Sequence, residues 1–186
     1  GTSYTGPIWP KHFTSEQIKE VEKHYKKIPE MFYTSSKQLV VTPENFHTWF
    51  EAHKDVGFRF QFQEQFSGSG VLSWSLFQTG TSVLFPVDLR YGWDVRKKAH
   101  RDLLDMASKH FKPLFKYSSP DCRLWRSASN GHPDKALLKE KRDEEKPMLQ
   151  WLHNDNRQQV KNGCGYLNEN GLRSQIWTQS PLEQNR

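Results

Sequence analysis

Cysteine is scarce in this sequence. Its two cysteines, Cys122 and Cys164, make neither a disulfide framework nor a closed zinc site, which needs four ligands at recognisable spacing. A disulfide between them is open on spacing alone, and a reducing compartment disfavours it. Long apolar runs are missing too. No stretch approaches the ~20 residues that span a bilayer, and no secretory leader pattern opens the chain. The expectation is a soluble intracellular protein, cytoplasmic or nuclear, without a membrane partner. Apolar residues are only 34 % of the chain, yet 12 Phe, 7 Trp and 6 Tyr argue against disorder and for a core built on a few large rings. There is no internal repeat. The eight histidines show no metal-ligand spacing, so a nuclease stands only as an alternative and no metal site is expected.

The 186 residues fit one domain of the usual ~100–200. A net charge of +6 and a pI near 9.3 are compatible with a nucleic-acid partner. Residues 1–57 read as an N-terminal arm and helices that pack on a core formed by residues 58–186. Pro7 and Pro10 oppose helix in the arm, and Trp9 and Phe13 can dock on the body. Thr14 with Gln17 starts a helix that carries Ile18, Val21, Tyr25 and Ile28 until Pro29. Thr42-Pro43 opens a second helix, with Phe46, Trp49, Phe50 and His53 on one face.

Residues 58–88 form the central unit. Phe58, Phe60 and Phe62 alternate with polar residues, as a strand with one buried face requires, and the turn Phe66-Ser67-Gly68-Ser69-Gly70 follows. Val71, Leu72, Leu76 and Phe77 then fall at helical spacing, and the run from Val83 to Val87 closes on Asp88. Strand, glycine turn, helix, strand and acid make a β-α-β unit with the chemistry of a nucleoside cofactor site. Gly68 and Gly70 let the backbone turn tightly and approach a ligand, while Asp88 can accept hydrogen bonds from ribose hydroxyls. Ser73 at the third fingerprint position disfavours a pyrophosphate on the helix start.

Further along, Asp94 lies in a loop or very short strand, and residues 97–111 form an amphipathic helix. Residues 112–117 read as a third buried strand that leads into Pro120-Asp121-Cys122. The charged run 134–146 reads as a solvated helical face, and Met148, Leu149, Trp151 and Leu152 carry the helix back to the body. Residues 164–168 form a strand that ends in Glu169-Asn170, and a last helix or turn begins at Leu172. Alternating strands and helices imply a parallel sheet whose ligands sit outside the carboxyl ends of the strands. All the chemistry falls there. A thiol at one tip and a carboxyl group at the next suit covalent attack on an electrophilic ring carbon, and Arg123 and Arg126 would favour thiolate and attract phosphate.

In this order, Phe66-Ser-Gly-Ser-Gly70, Asp88, Trp93-Asp94-Val95, Pro120-Asp-Cys122-Arg-Leu-Trp125 and Asn168-Glu-Asn170 resemble the motifs of the cytosine-C5 DNA methyltransferase family. They look closer still to the methyltransferase-like domains of some retroelement polyproteins. The resemblance implies an α/β Rossmann-like methyltransferase fold, a three-layer sandwich with a parallel-rich sheet and an N-terminal helical extension. It also implies S-adenosylmethionine as cofactor, with Phe66, Gly68 and Gly70 passing the methionine part, Asp88 on the ribose and Asp94 facing the adenine. Cys122 would be the nucleophile on cytosine C5 and Glu169 would hold the flipped base. Arg123, Arg126 and Asn170 would serve the nucleic acid, with base flipping obligatory. Asp121 before Cys122 and Arg123 after it depart from the family's pattern. They favour an alternative, a catalytically inactive module for nucleic-acid binding or assembly, with a target-recognition segment supplied by other parts of a larger polypeptide. The plain structural readings stay open beside these: a glycine turn, two capping acids and an inert thiol.

Overall fold

Among the described residues three short strands run parallel: β1 (Phe62–Gln65), β2 (Phe115–Ser118) and β3 (Gly165–Asn168), in the order β1-β2-β3. The computed structural model describes residues 41–182 apart from residues 69, 127, 128, 130 and 132. The arm expected over residues 1–13, the helix over 14–28, nearly all of 31–41 and His12, His24 and His132 lie outside the described residues. The helices are α1 (Phe46–His53), α2 (Val71–Gln78), α3 (Lys98–Phe111), α4 (Lys135–Lys161) and α5 (Ile176–Gln179). The fold is therefore mixed α/β with a small parallel sheet.

The register pairs Phe62 with Phe115 and Phe115 with Gly165. Residues 83–87 run parallel to the other side of β1 through two bridges, Phe62 to Val83 and Gln65 to Val87. Three steps on β1 face four on this segment, so one extra residue bulges out beside Pro86, which has no N–H for the ladder. The expected strand is thus an irregular edge. In space the order is 83–87, β1, β2, β3, and the chain reverses direction across the sheet after the segment beside β1. The carboxyl ends of β1 and β2 flank that switch point, where open α/β sheets place their ligands.

Strand β1 departs from the expected pattern of one buried face. All four of its residues are buried because it lies inside the sheet, while Phe58, read as part of the strand, is 57 % exposed. Its two faces meet different helices. Glu64 reaches Ser73 on α2, whereas Gln65 reaches Asp155 on α4, and Lys116 of β2 reaches Ser108 on α3 and the same Asp155. Helix α2 therefore covers one face, and α3 and α4 cover the other.

The core is aromatic, as the composition led one to expect. Phe46, Trp49 and Phe50 of α1 pack with Phe60, Phe85, Trp93 and Phe111, with Trp49 edge-on to Phe85 and Phe85 stacked on Trp93. Helix α1 begins later than Thr42-Pro43 suggested. Thr42 N–H donates to Asn45 Oδ1 at 2.7 Å, closing a turn before Phe46. Helix α4 runs through Pro147 without ending, so the charged run and the apolar run that follows are one helix. Its buried residues Met148, Leu149, Leu152 and Gln159 face the body, and only Leu138 does so in the first half. Among the described residues no helix is long and apolar enough to cross a membrane.

Candidate functional site

The turn after β1 is left-handed three times within five residues. Phe66 has φ +55°, Gly68 +57° and Gly70 +74°. Glycine takes these angles freely, but at Phe66 the left-handed region costs roughly 1–2 kcal/mol, which its packing against the core offsets. A Cβ at Gly68 would meet nothing within 4 Å, so the space above the turn is open. Gly70 caps α2.

Asp88 is tied directly to this turn. Gly68 N–H donates to Asp88 Oδ2 at 2.9 Å, and Arg90 N–H donates to Oδ1 at 2.9 Å. Each carboxylate oxygen keeps a lone pair for a further donor. Ser67 N–H donates to Val87 O at 3.1 Å, which closes the turn against the neighbouring segment. Below it, Glu64 is buried and accepts from both Ser73 N–H (3.0 Å) and Ser73 Oγ (2.7 Å) at the first turn of α2. Burial pushes the Glu64 carboxyl above its ordinary value, partly countered by those two bonds.

A second cluster joins the tips of β2 and β3. Ser119 Oγ donates to Glu169 Oε2 at 2.6 Å, and Asn170 Nδ2 donates to Pro120 O at 2.8 Å. The loop carrying Cys122 is thereby held against Glu169 and Asn170. Ser119 N–H also donates to Gln65 O at 3.2 Å, so the β2 tip abuts the end of β1. Cys122 precedes a 3-10 turn over Arg123–Trp125, and Arg126 Nε lies 3.4 Å from its Sγ. Arg123 does not face the thiol; its Nε pairs with Asp121 Oδ2. Both cysteines are free.

Asp94 belongs to neither cluster. Its carboxylate accepts from Arg96 Nε at 2.9 Å and from Arg96 N–H at 3.1 Å. Burial would raise the Asp94 carboxyl, but the hydrogen bonds and charge of Arg96 outweigh it and hold the group below its ordinary value. Three polar groups escaped the sequence reading. Glu64 continued the apolar face marked by Phe58, Phe60 and Phe62 and was passed over as an interruption of it, and Ser67 and Asn168 passed as parts of motifs. Ser67 Oγ and Asn168 Oδ1 are buried with no hydrogen-bond partner among the described residues. Both stand at strand carboxyl ends, where a ligand could satisfy them. No group of three or more His, Cys, Asp or Glu suited to a metal ion occurs among the described residues. Comparison with known proteins adds no relative to this geometry: no family model, no curated protein and no solved structure matches the chain.

Proposed function

We propose that this chain is a methyltransferase-like domain of Rossmann type that binds S-adenosylmethionine at the carboxyl ends of β1 and the 83–87 segment and acts on nucleic acid. The observation that carries the reading is the bond from Gly68 N–H to Asp88, which clamps the left-handed glycine turn after β1, beside the switch point of a parallel sheet, to the acid that follows the neighbouring 83–87 segment. The donor set suits the cofactor. Gly68 leaves open space, Ser67 Oγ has no partner among the described residues, and Asp88 keeps acceptor capacity for ribose hydroxyls. When bound, the cofactor supplies an electrophilic methyl group.

The chain's own residues would do the rest. Cys122, with Arg126 against its sulfur, would attack the ring of an extruded cytosine. Glu169, oriented by Ser119, would hold the base, and Asn170 would keep the Pro120 loop in place. Asp121 beside the thiol favours the second reading, a module that binds without turnover, and assays separate the two.

The test is calorimetric titration of the full chain with S-adenosylmethionine and S-adenosylhomocysteine. Binding is expected, with a melting temperature that rises with ligand concentration, since a ligand at 100 times its Kd adds about 2.7 kcal/mol. Asp88→Ala should weaken affinity at least tenfold. No heat at millimolar ligand, or equal affinity in Asp88→Ala, removes the pocket.

A further inference from the structure

The first half of α4 carries four cations whose spacing places them together. Lys135, Lys139, Arg142 and Lys146 follow one another by four, three and four residues, so at ~100° per residue they fall within about 60° of the helix circumference. Glu140 and Glu144 point away from that stripe by the same geometry. All four cations line one cleft of about 270 Å³, whose other side is formed by Trp125 and Gln179. Arg142 anchors the stripe to the candidate catalytic loop. Its guanidinium lies 5.3 Å from the Trp125 ring centroid, and its Nε donates to Leu124 O at 2.8 Å. The 3-10 turn so gripped begins directly after Cys122 and presents the exposed Arg123 and Arg126. Asp143 sits beside the stripe and accepts from Lys139 at 2.8 Å and Lys146 at 2.6 Å, which spaces the two ammonium groups.

We propose that this stripe is the surface on which the domain holds the phosphate backbone of a nucleic-acid strand, leading it toward the loop of Cys122. From Lys135 to Lys146 the helix rises ~16 Å at 1.5 Å per residue. That length lets the stripe meet several successive phosphates of one strand. Cations in a row match the charge of a phosphate backbone, while the buried Trp125 under Arg142 fixes the stripe to the loop of Cys122. Asp143 is the built-in competitor: a phosphate must displace its two ion pairs. The proposal deepens the nucleic-acid part of the reading above and is independent of the cofactor pocket.

The test measures fluorescence anisotropy of a labelled oligonucleotide with the full chain across a salt series, without cofactor. Lys135→Gln/Lys139→Gln should bind at least tenfold more weakly near 0.1 M salt, and its log–log salt slope should be shallower by ~1.5. Asp143→Asn should bind more tightly, a gain that unfolding could not produce. The control Lys98→Gln/Lys109→Gln, exposed cations on α3, should match wild type. Equal affinity of the stripe variant and wild type overturns the proposal, as does an equal loss in the control or no wild-type binding at 50 mM salt. Polyglutamate of equal charge binding as tightly as the oligonucleotide would also overturn it. A chain that fails the cofactor titration yet weakens tenfold in the stripe variant has lost the pocket and kept the surface.

Discussion

Replacing Lys116 by Met should be among the most damaging single changes outside the aromatic core. The Lys116 side chain is fully buried in β2, and all its donors are used: two on Asp155 Oδ1 and Oδ2 at 2.7 and 2.8 Å, one on Ser108 Oγ at 2.7 Å. Asp155, 5 % exposed, accepts besides from Gln65 Nε2 at 3.0 Å. Methionine keeps most of the stem's volume and removes the charge. Asp155 then loses its counter-ion and keeps the Gln65 Nε2 donor, and breaking a buried pair in this way costs about 3–5 kcal/mol. Against a typical total of roughly 5–15 kcal/mol that is a large share. The double variant Lys116→Met/Asp155→Asn should recover most of that loss, because both buried charges are gone and the amide oxygen still accepts from Gln65 Nε2. Urea unfolding at pH 7 reads both, as a cycle. A single variant that loses under 1 kcal/mol, or a double variant that loses the sum of both singles, would refute the reasoning.

Other expectations follow from single residues. Glu64 has its folded pKa raised above 4.5 by burial, so its ionisation costs stability above that value and the cost disappears as pH falls below it. Wild type should therefore gain stability over Glu64→Gln between pH 7 and 4, and identical pH profiles would show that Glu64 is not desolvated. Gly68→Ala forces a side chain to φ +57° and should lower stability by about 1 kcal/mol in urea, while filling the space above the turn. No change in the urea midpoint would mean that the turn relaxes. Pro147→Ala restores a helical N–H inside α4 and should stabilise by roughly 1–3 kcal/mol; a loss would mean that the proline itself is needed where α4 packs. Cys122→Ala should leave the melting temperature unchanged and abolish methyl transfer, whereas unchanged turnover would eliminate the covalent route.

What was legible in the sequence is what sterics and periodicity write locally. Gly68 and Gly70 announced a left-handed turn because few other residues take it, and the stripe of Leu104, Ala107 and Phe111 announced α3. Asp88 was legible as an acid at a strand tip, and it does meet the turn. Asp94 read the same way, yet Arg96, two residues on in the same loop, takes its carboxylate. Periodicity misled where a strand is covered twice. Phe58, Phe60 and Phe62 mark one face, but β1 has neighbours on both edges and helices on both faces, so Gln63, Glu64 and Gln65 are interior too. Lys116 falls in a strand expected to be buried, and Asp155, 39 positions away, is what makes a buried ammonium tolerable there. Both features have one physical origin. A chain with few aliphatic residues cannot fill its interior with hydrocarbon alone, so it completes the core with polar groups that bond one another across the sheet. Hydropathy sees such groups singly and assigns them to water, whereas their partners lie a strand or a helix away. Among the described residues the buried side-chain atoms without partners are few: Asn156 Nδ2 and Oδ1 lie within α4, whereas Ser67 Oγ and Asn168 Oδ1 stand at strand tips, where a ligand could satisfy them.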